Sequence, residues 1–133
     1  MESLAQLEAA IRAKDDAYRS GRIEEYLAAF APDATVFFAG RLMDLEGWRR
    51  FLGSFFDTGG RMLSFSSETP DHILLNDRGD AATVDYPWSE SFLYADGRKI
   101  NARYHESNVW FRRNGAWQIV QYHLSTVSET AEE

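Results

Sequence analysis

The sequence predicts an α+β domain in which N-terminal helices pack on one face of a curved, mainly antiparallel sheet. Three features point to it. Up to Gly59-Gly60 the apolar residues mostly recur at helical spacing. From Met62 onward they alternate with a period of two, so helices come first and a strand meander follows. Asn114-Gly115, the dipeptide favoured in type I′ hairpin turns, joins two of the alternating segments.

Each element has its own signal. Ser3 with Gln6 forms a capping-box pattern, Leu4, Leu7, Ile11 and Tyr18 follow helical spacing, and Gly21 is a stop. Ile23 to Phe30 reads as a second helix, with Tyr26, Leu27 and Phe30 on its apolar side, ended by Pro32-Asp33. Ala34 to Ala39 reads as a short buried strand. Asp44 is placed to cap a third helix whose apolar positions are Trp48, Phe51, Leu52, Phe55 and Phe56. Met62 to Leu75 reads as extended, interrupted near Pro70, and Asn76 to Asp80 as a turn. Ala81 to Tyr94, Lys99 to Arg112 and Trp117 to Val127 read as the long strands, with a turn at Asp96-Gly97. Residues 1–127 form one expected domain, and the acidic tail 128–133 is expected to fray.

Composition narrows the function. At 133 residues, with 44% hydrophobic and 14% aromatic content, the chain is long enough for one core and rich enough in rings to line a cavity. A net charge of −7 opposes binding to nucleic acid or to anionic membranes. The absence of cysteine excludes disulfides and thiolate chemistry. The N-terminus lacks a basic segment followed by an apolar run, so a cytoplasmic location is expected. His105 and His123 fall on opposite strand faces and His72 lies elsewhere, so no metal site is expected, and nothing calls for a cofactor.

The Asn114-Gly115 turn sets an expected register. Counting outward from Arg113 and Ala116 pairs Trp110 with Ile119, Asn108 with Gln121, Glu106 with His123, and Tyr104 with Ser125. In the preceding strand Val84, Tyr86, Trp88, Glu90 and Phe92 share the more apolar parity and are expected to face inward. A three-residue loop or a bulge near Asp96-Gly97 would bring Glu90 near Glu106. The candidate catalytic set is therefore Glu106, His123 and Glu90. Two close carboxylates in an apolar cavity would push one pKa upward, and a histidine beside them would shuttle the proton. A satisfied structural Glu–His pair is the commoner use of such residues. Tyr86, Trp88, Tyr104, Asn108, Gln121, Tyr18 and Phe38 are the candidate ligand-binding residues. Tyr18 and Tyr26 can reach a cavity from the helices, although helical tyrosines more often serve the core.

Three segments, GRLMDLEGWRRF (Gly40–Phe51), GDAATVDY (Gly79–Tyr86) and ESNVWFRRNGAWQIVQYHLS (Glu106–Ser125), carry a family resemblance. In order and spacing the chain resembles the nuclear transport factor 2-like superfamily, which includes SnoaL-like cyclases and ketosteroid isomerases. It is most similar there to the association domain of calcium/calmodulin-dependent protein kinase II and its bacterial relatives. The resemblance implies a cone-shaped fold with a pocket at its open end, and homodimers or larger rings formed through the outer sheet face. It does not carry isomerase chemistry across: the catalytic carboxylate position matches Phe38, the oxyanion-hole tyrosine falls about at Lys14, and the neutral acid falls near Asn108. Pocket arginines of association domains match Trp88 and Asn108, whereas Glu106 and His123 keep the association-domain pattern. Two functions are then expected. One is binding of a small, largely apolar molecule together with self-association. The other is cofactor-free acid/base catalysis of isomerisation, dehydration or cyclisation.

Overall fold

The computed structural model describes residues 2–67 and 72–132. The elements are α1 (Glu2–Arg19), α2 (Ile23–Leu27), β1 (Phe30–Phe38), β2 (Arg41–Asp44), α3 (Leu45–Asp57), β3 (Arg61–Ser67), β4 (His72–Leu75), β5 (Ala81–Leu93), β6 (Lys99–Arg113) and β7 (Ala116–Glu132). Among the described residues the sheet has seven strands in the order β2-β1-β7-β6-β5-β3, with β4 also paired to β5. Neighbours are antiparallel except β1 and β7, which run parallel. This is the expected α+β class. The interruption expected at Pro70 lies outside the described residues.

Helix α1 buries Leu7, Ile11, Lys14 and Ala17 on one face. It ends where the backbone N–H of Arg22 reaches the carbonyl of Ala17 at 2.9 Å, closing the last turn at Gly21. Helix α3 starts where Asp44 accepts from the Gly47 N–H at 2.7 Å, the predicted cap. It seats Trp48 and Leu52 in the core. The second helix is shorter than expected, because β1 already begins at Phe30.

Strand β2 has no counterpart among the predicted elements. It returns from β1 through a two-residue turn at Ala39-Gly40, both at positive φ (54° and 75°), so Phe38 pairs with Arg41. Asn114-Gly115 adopts the same conformation (φ 54° and 78°), and Arg113 pairs with Ala116 as predicted. The tail expected to fray instead extends β7: Thr130, Ala131 and Glu132 pair with Asn101, Ile100 and Lys99.

One irregularity decides the geometry of the site. The β6–β7 register follows the expected pairing from Arg112–Trp117 to Trp110–Ile119, then shifts, and Val109 pairs with Gln121. Val120 is the extra residue of a β-bulge. Beyond it Asn108 faces Tyr122, Glu106 faces Leu124, and Tyr104 faces Thr126. A regular ladder would have turned Tyr122 and Leu124 outward and Gln121 and His123 inward. The bulge reverses both pairs, so Tyr122 and Leu124 join the buried core and Gln121 and His123 are exposed. Each large apolar side chain kept inside in this way is worth about 1.5–3 kcal/mol.

The β5–β6 turn is tight. Tyr94 N–H bonds the carbonyl of Arg98 at 2.9 Å across Ala95, Asp96 and Gly97. The even residues of the two strands share the inner face, as expected from a three-residue loop. The register nonetheless places Glu90 opposite Ala102 and Tyr86 opposite Glu106, which corrects the expected proximity of Glu90 and Glu106.

Candidate functional site

A cavity of about 440 Å³ lies between the helices and the inner sheet face. Rings supply most of its wall: Tyr18 from α1, Phe38 from β1, Trp48 from α3, Phe65 from β3, Trp88 from β5 and Tyr104 from β6. Strand alternation explains why these side chains converge, because successive inward residues of each strand project to one side. Trp88 lies 4.6 Å from Tyr104 and 5.6 Å from Tyr18, centroid to centroid.

The polar groups fall into two sets. The first is a closed network at the floor, centred on Glu106, which is 1% exposed. Its Oε1 accepts from Trp88 Nε1 at 3.0 Å and from the Tyr122 hydroxyl at 3.0 Å. Its Oε2 accepts from Asn108 Nδ2 at 2.6 Å and is ion-paired with Lys14 Nζ. Lys14 also donates to the Tyr86 hydroxyl at 2.9 Å and lies 3.3 Å from Asp15. Tyr86 passes the chain on by donating to Asp15 Oδ1 at 2.9 Å. Burial alone would lower the Lys14 pKa, but Glu106, Tyr86 and Asp15 outweigh it and hold the ammonium above the usual lysine range, so it stays charged. Burial raises the pKa of Asp15, against the pull of Lys14.

The second set is Glu90, in the cavity wall and 8% exposed. Tyr18 donates to its Oε1 at 2.9 Å. Burial pushes the Glu90 pKa up, bonding from Tyr104 and Tyr18 opposes the rise, and nearby Glu129 adds to it. Burial and the adjacent Glu90 raise the pKa of Tyr18 and of Tyr104, which keeps both as neutral hydroxyl donors.

The structure thus separates the candidate residues. Tyr18, Phe38, Trp88, Tyr104, Glu90 and Glu106 all line the cavity. Tyr86 and Asn108 are buried and hold Glu106 and Lys14 in place without lining it. Gln121 and His123 do not belong to the site. His123 is exposed on the outer face, 5.1 Å from the Phe37 ring, because the Val120 bulge turned it there. The expected Glu106–His123 pair is therefore replaced by Glu106–Lys14. Glu106 has all four carboxylate acceptor sites filled, a poor arrangement for a proton acceptor. Lys14 and Asp15 were not among the candidates. A signal was available, since Lys14 continues the helical stripe of Leu7 and Ile11, and a lysine on a buried stripe needs a buried counter-charge. Among the described residues no group of three or more His, Asp or Glu is arranged to hold a metal ion.

This α+β architecture, with a ring-lined cavity between helices and sheet, is that of the nuclear transport factor 2-like superfamily. Residues 7–129 match the SnoaL-like domain family, and the chain belongs to it. A ketosteroid isomerase-like protein from Erwinia carotovora atroseptica SCRI1043 is similar at 24% identity and a TM-score of 0.82, over 96% of this chain and 98% of that one. A calcium/calmodulin-dependent kinase II association domain-like protein from Exiguobacterium sibiricum 255-15 is similar at 16% identity and a TM-score of 0.75, over 93% and 92% of the two chains. A scytalone dehydratase-like protein from Novosphingobium aromaticivorans DSM 12444 is similar at 15% identity and a TM-score of 0.75, over 98% and 87%. At these identities the likenesses establish the shared fold.

Proposed function

We propose that the chain binds a small, largely apolar molecule in the cavity and self-associates through the outer face of its sheet. The observation that carries the first part is a cavity of about 440 Å³ walled largely by rings. That combination of size and lining suits one compact ligand oriented by one or two hydrogen bonds. A thermal-shift screen of aromatic and alicyclic compounds tests it, with hits confirmed by quenching of tryptophan fluorescence. A screen in which no compound raises the melting temperature counts against the reading.

Self-association is supported by Phe37 and Phe111, which are 40% and 37% exposed on strands β1 and β6. The kinase association domain-like neighbour bears a name consistent with such assembly. A monomeric mass by light scattering at micromolar concentration would contradict it.

Glu90 favours a second reading, cofactor-free acid/base catalysis. A carboxyl in a cavity wall whose pKa burial raises above the usual glutamate range is better suited to exchange a proton with a bound molecule than a solvated one. Tyr18 and Tyr104 would steady it, and Glu106 would serve only to hold Lys14. Isomerisation, dehydration and cyclisation all fit such a group, and one neighbour is a scytalone dehydratase-like protein. Once a substrate is found, Glu90→Gln should abolish turnover while the variant stays folded. Undiminished turnover in that variant would rule the reading out.

A further inference from the structure

We infer that the ligand of this cavity is a cation, a compact aromatic or alicyclic molecule whose protonated amine or quaternary ammonium group sits against Glu90. The inference rests on the ligand-binding reading above and adds the charge class.

It follows from the charges in the cavity wall. Among the described residues the wall contains one basic side chain, Lys14, and four carboxylates, Asp15, Glu90, Glu106 and Glu129. Lys14 is engaged, since it donates to the Tyr86 hydroxyl, is ion-paired with Glu106 and lies 3.3 Å from Asp15. It therefore offers no free positive charge to an incoming ligand. Among the described residues Glu90 has no basic partner. The groups acting on it are Tyr104 from β6, Tyr18 from α1 and the carboxylate of Glu129 from β7, none of them basic. An anionic ligand would meet carboxylates without a free cation to receive it. A neutral ligand would leave a Glu90 carboxylate with hydroxyl donors such as Tyr18 and no counter-charge. A cationic ligand supplies the missing partner.

The rings agree with the charges. Phe65 and Trp88 lie 5.1 Å apart, and Tyr18 lies 5.7 Å from Phe65, so rings flank Glu90 from its own strand, the adjoining strand β3 and helix α1. Phe65 is the direct strand neighbour of Glu90, and Trp88 precedes it by one inward position. Ring faces carry negative potential and attract cations, arginine guanidinium and alkylammonium alike. Phe65 already shows this, with the guanidinium of Arg19 stacked over it at 4.9 Å.

The test is a matched series of three probes of one shape: 2-naphthylmethylamine, 2-naphthylmethanol and 2-naphthoate, titrated into the full chain at neutral pH and followed by calorimetry. The amine should bind about tenfold tighter than the alcohol, and the carboxylate most weakly. In Glu90→Gln the amine should fall to the level of the alcohol, while the alcohol keeps its affinity. The wild-type ranking stands as a test even if that variant fails to fold. Alcohol binding as tight as amine, or carboxylate binding tightest, overturns the charge inference and leaves the pocket reading standing. Failure of all three probes to bind overturns both.

Discussion

The ammonium of Lys14 and the carboxylate of Glu106 form an ion pair between the first helix and the sixth strand, each group 2% exposed or less. The pair is 92 residues apart in sequence and ties α1 to the inner sheet face at the cavity floor. Its attraction acts where water does not screen it, and the desolvation of both charges opposes it.

Removing one partner of such a pair is costly. Lys14→Met leaves a buried carboxylate with only neutral donors, and should cost about 3–5 kcal/mol in urea unfolding. That is a large share of the stability of a typical domain. Glu106→Gln leaves the ammonium with Asp15, 3.3 Å away, as its remaining counter-charge. The double variant removes both charges while the glutamine oxygen can still accept from Trp88 or Tyr122. It should therefore lose clearly less than the two single losses added together. Additive losses would show that the pair is not coupled.

Glu90 should make stability fall as pH rises. Burial raises its folded-state pKa above the usual glutamate range. Between the unfolded and folded values the native state holds more protons than the unfolded chain, so stability drops with rising pH. The contribution is complete below the unfolded pKa and is lost once pH passes the folded value. Glu90→Gln removes the ionisation. The variant should melt higher than wild type at pH 7, and the gap should close toward pH 4. Melting curves across that range decide it, and a constant gap would contradict the assignment.

The Val120 bulge explains why the strands were legible in the sequence and the site only partly so. The alternation of β5 and β6 and the Asn114-Gly115 turn fix which residues face inward, and those expectations held from Arg113 to Trp110. A bulge needs no special residue, so counting from the turn misplaced Gln121 and His123. Its trace is a change of phase, with Trp117 and Ile119 buried at odd positions and Tyr122 and Leu124 at even ones. Strand β2 escaped because Ala39 occupies a left-handed position where asparagine or glycine is the usual signal. Lys14 escaped because its counter-charge lies on a strand that only the tertiary fold brings near.

Gly115→Ala isolates the conformational cost of the hairpin turn. Gly115 has φ +78°, and a Cβ added there meets nothing within 4 Å. No clash obscures the result, so the loss should be the left-handed penalty of an L-residue, about 1–2 kcal/mol. Urea unfolding measures it. A loss near zero would mean the turn relaxes to another type, which a changed pattern of amide protection in β6 and β7 would reveal.

Phe37→Glu tests the outer face separately from the cavity. Phe37 pairs with His123 across the parallel β1–β7 ladder, and its ring meets the imidazole edge-on at 87°. Its neighbours Val36 and Phe38 point the other way, into the core and the cavity wall. A glutamate at 37 therefore places a charge on the outer face and leaves the cavity lining unchanged. If that face joins two copies, the variant should run as a monomer in size-exclusion chromatography with light scattering where the wild type runs as a dimer. Ligand binding in the cavity should be the same for both. An unchanged dimer in the variant would move the interface away from β1 and β7, because a buried unpaired carboxylate is too costly to tolerate at the centre of a joint.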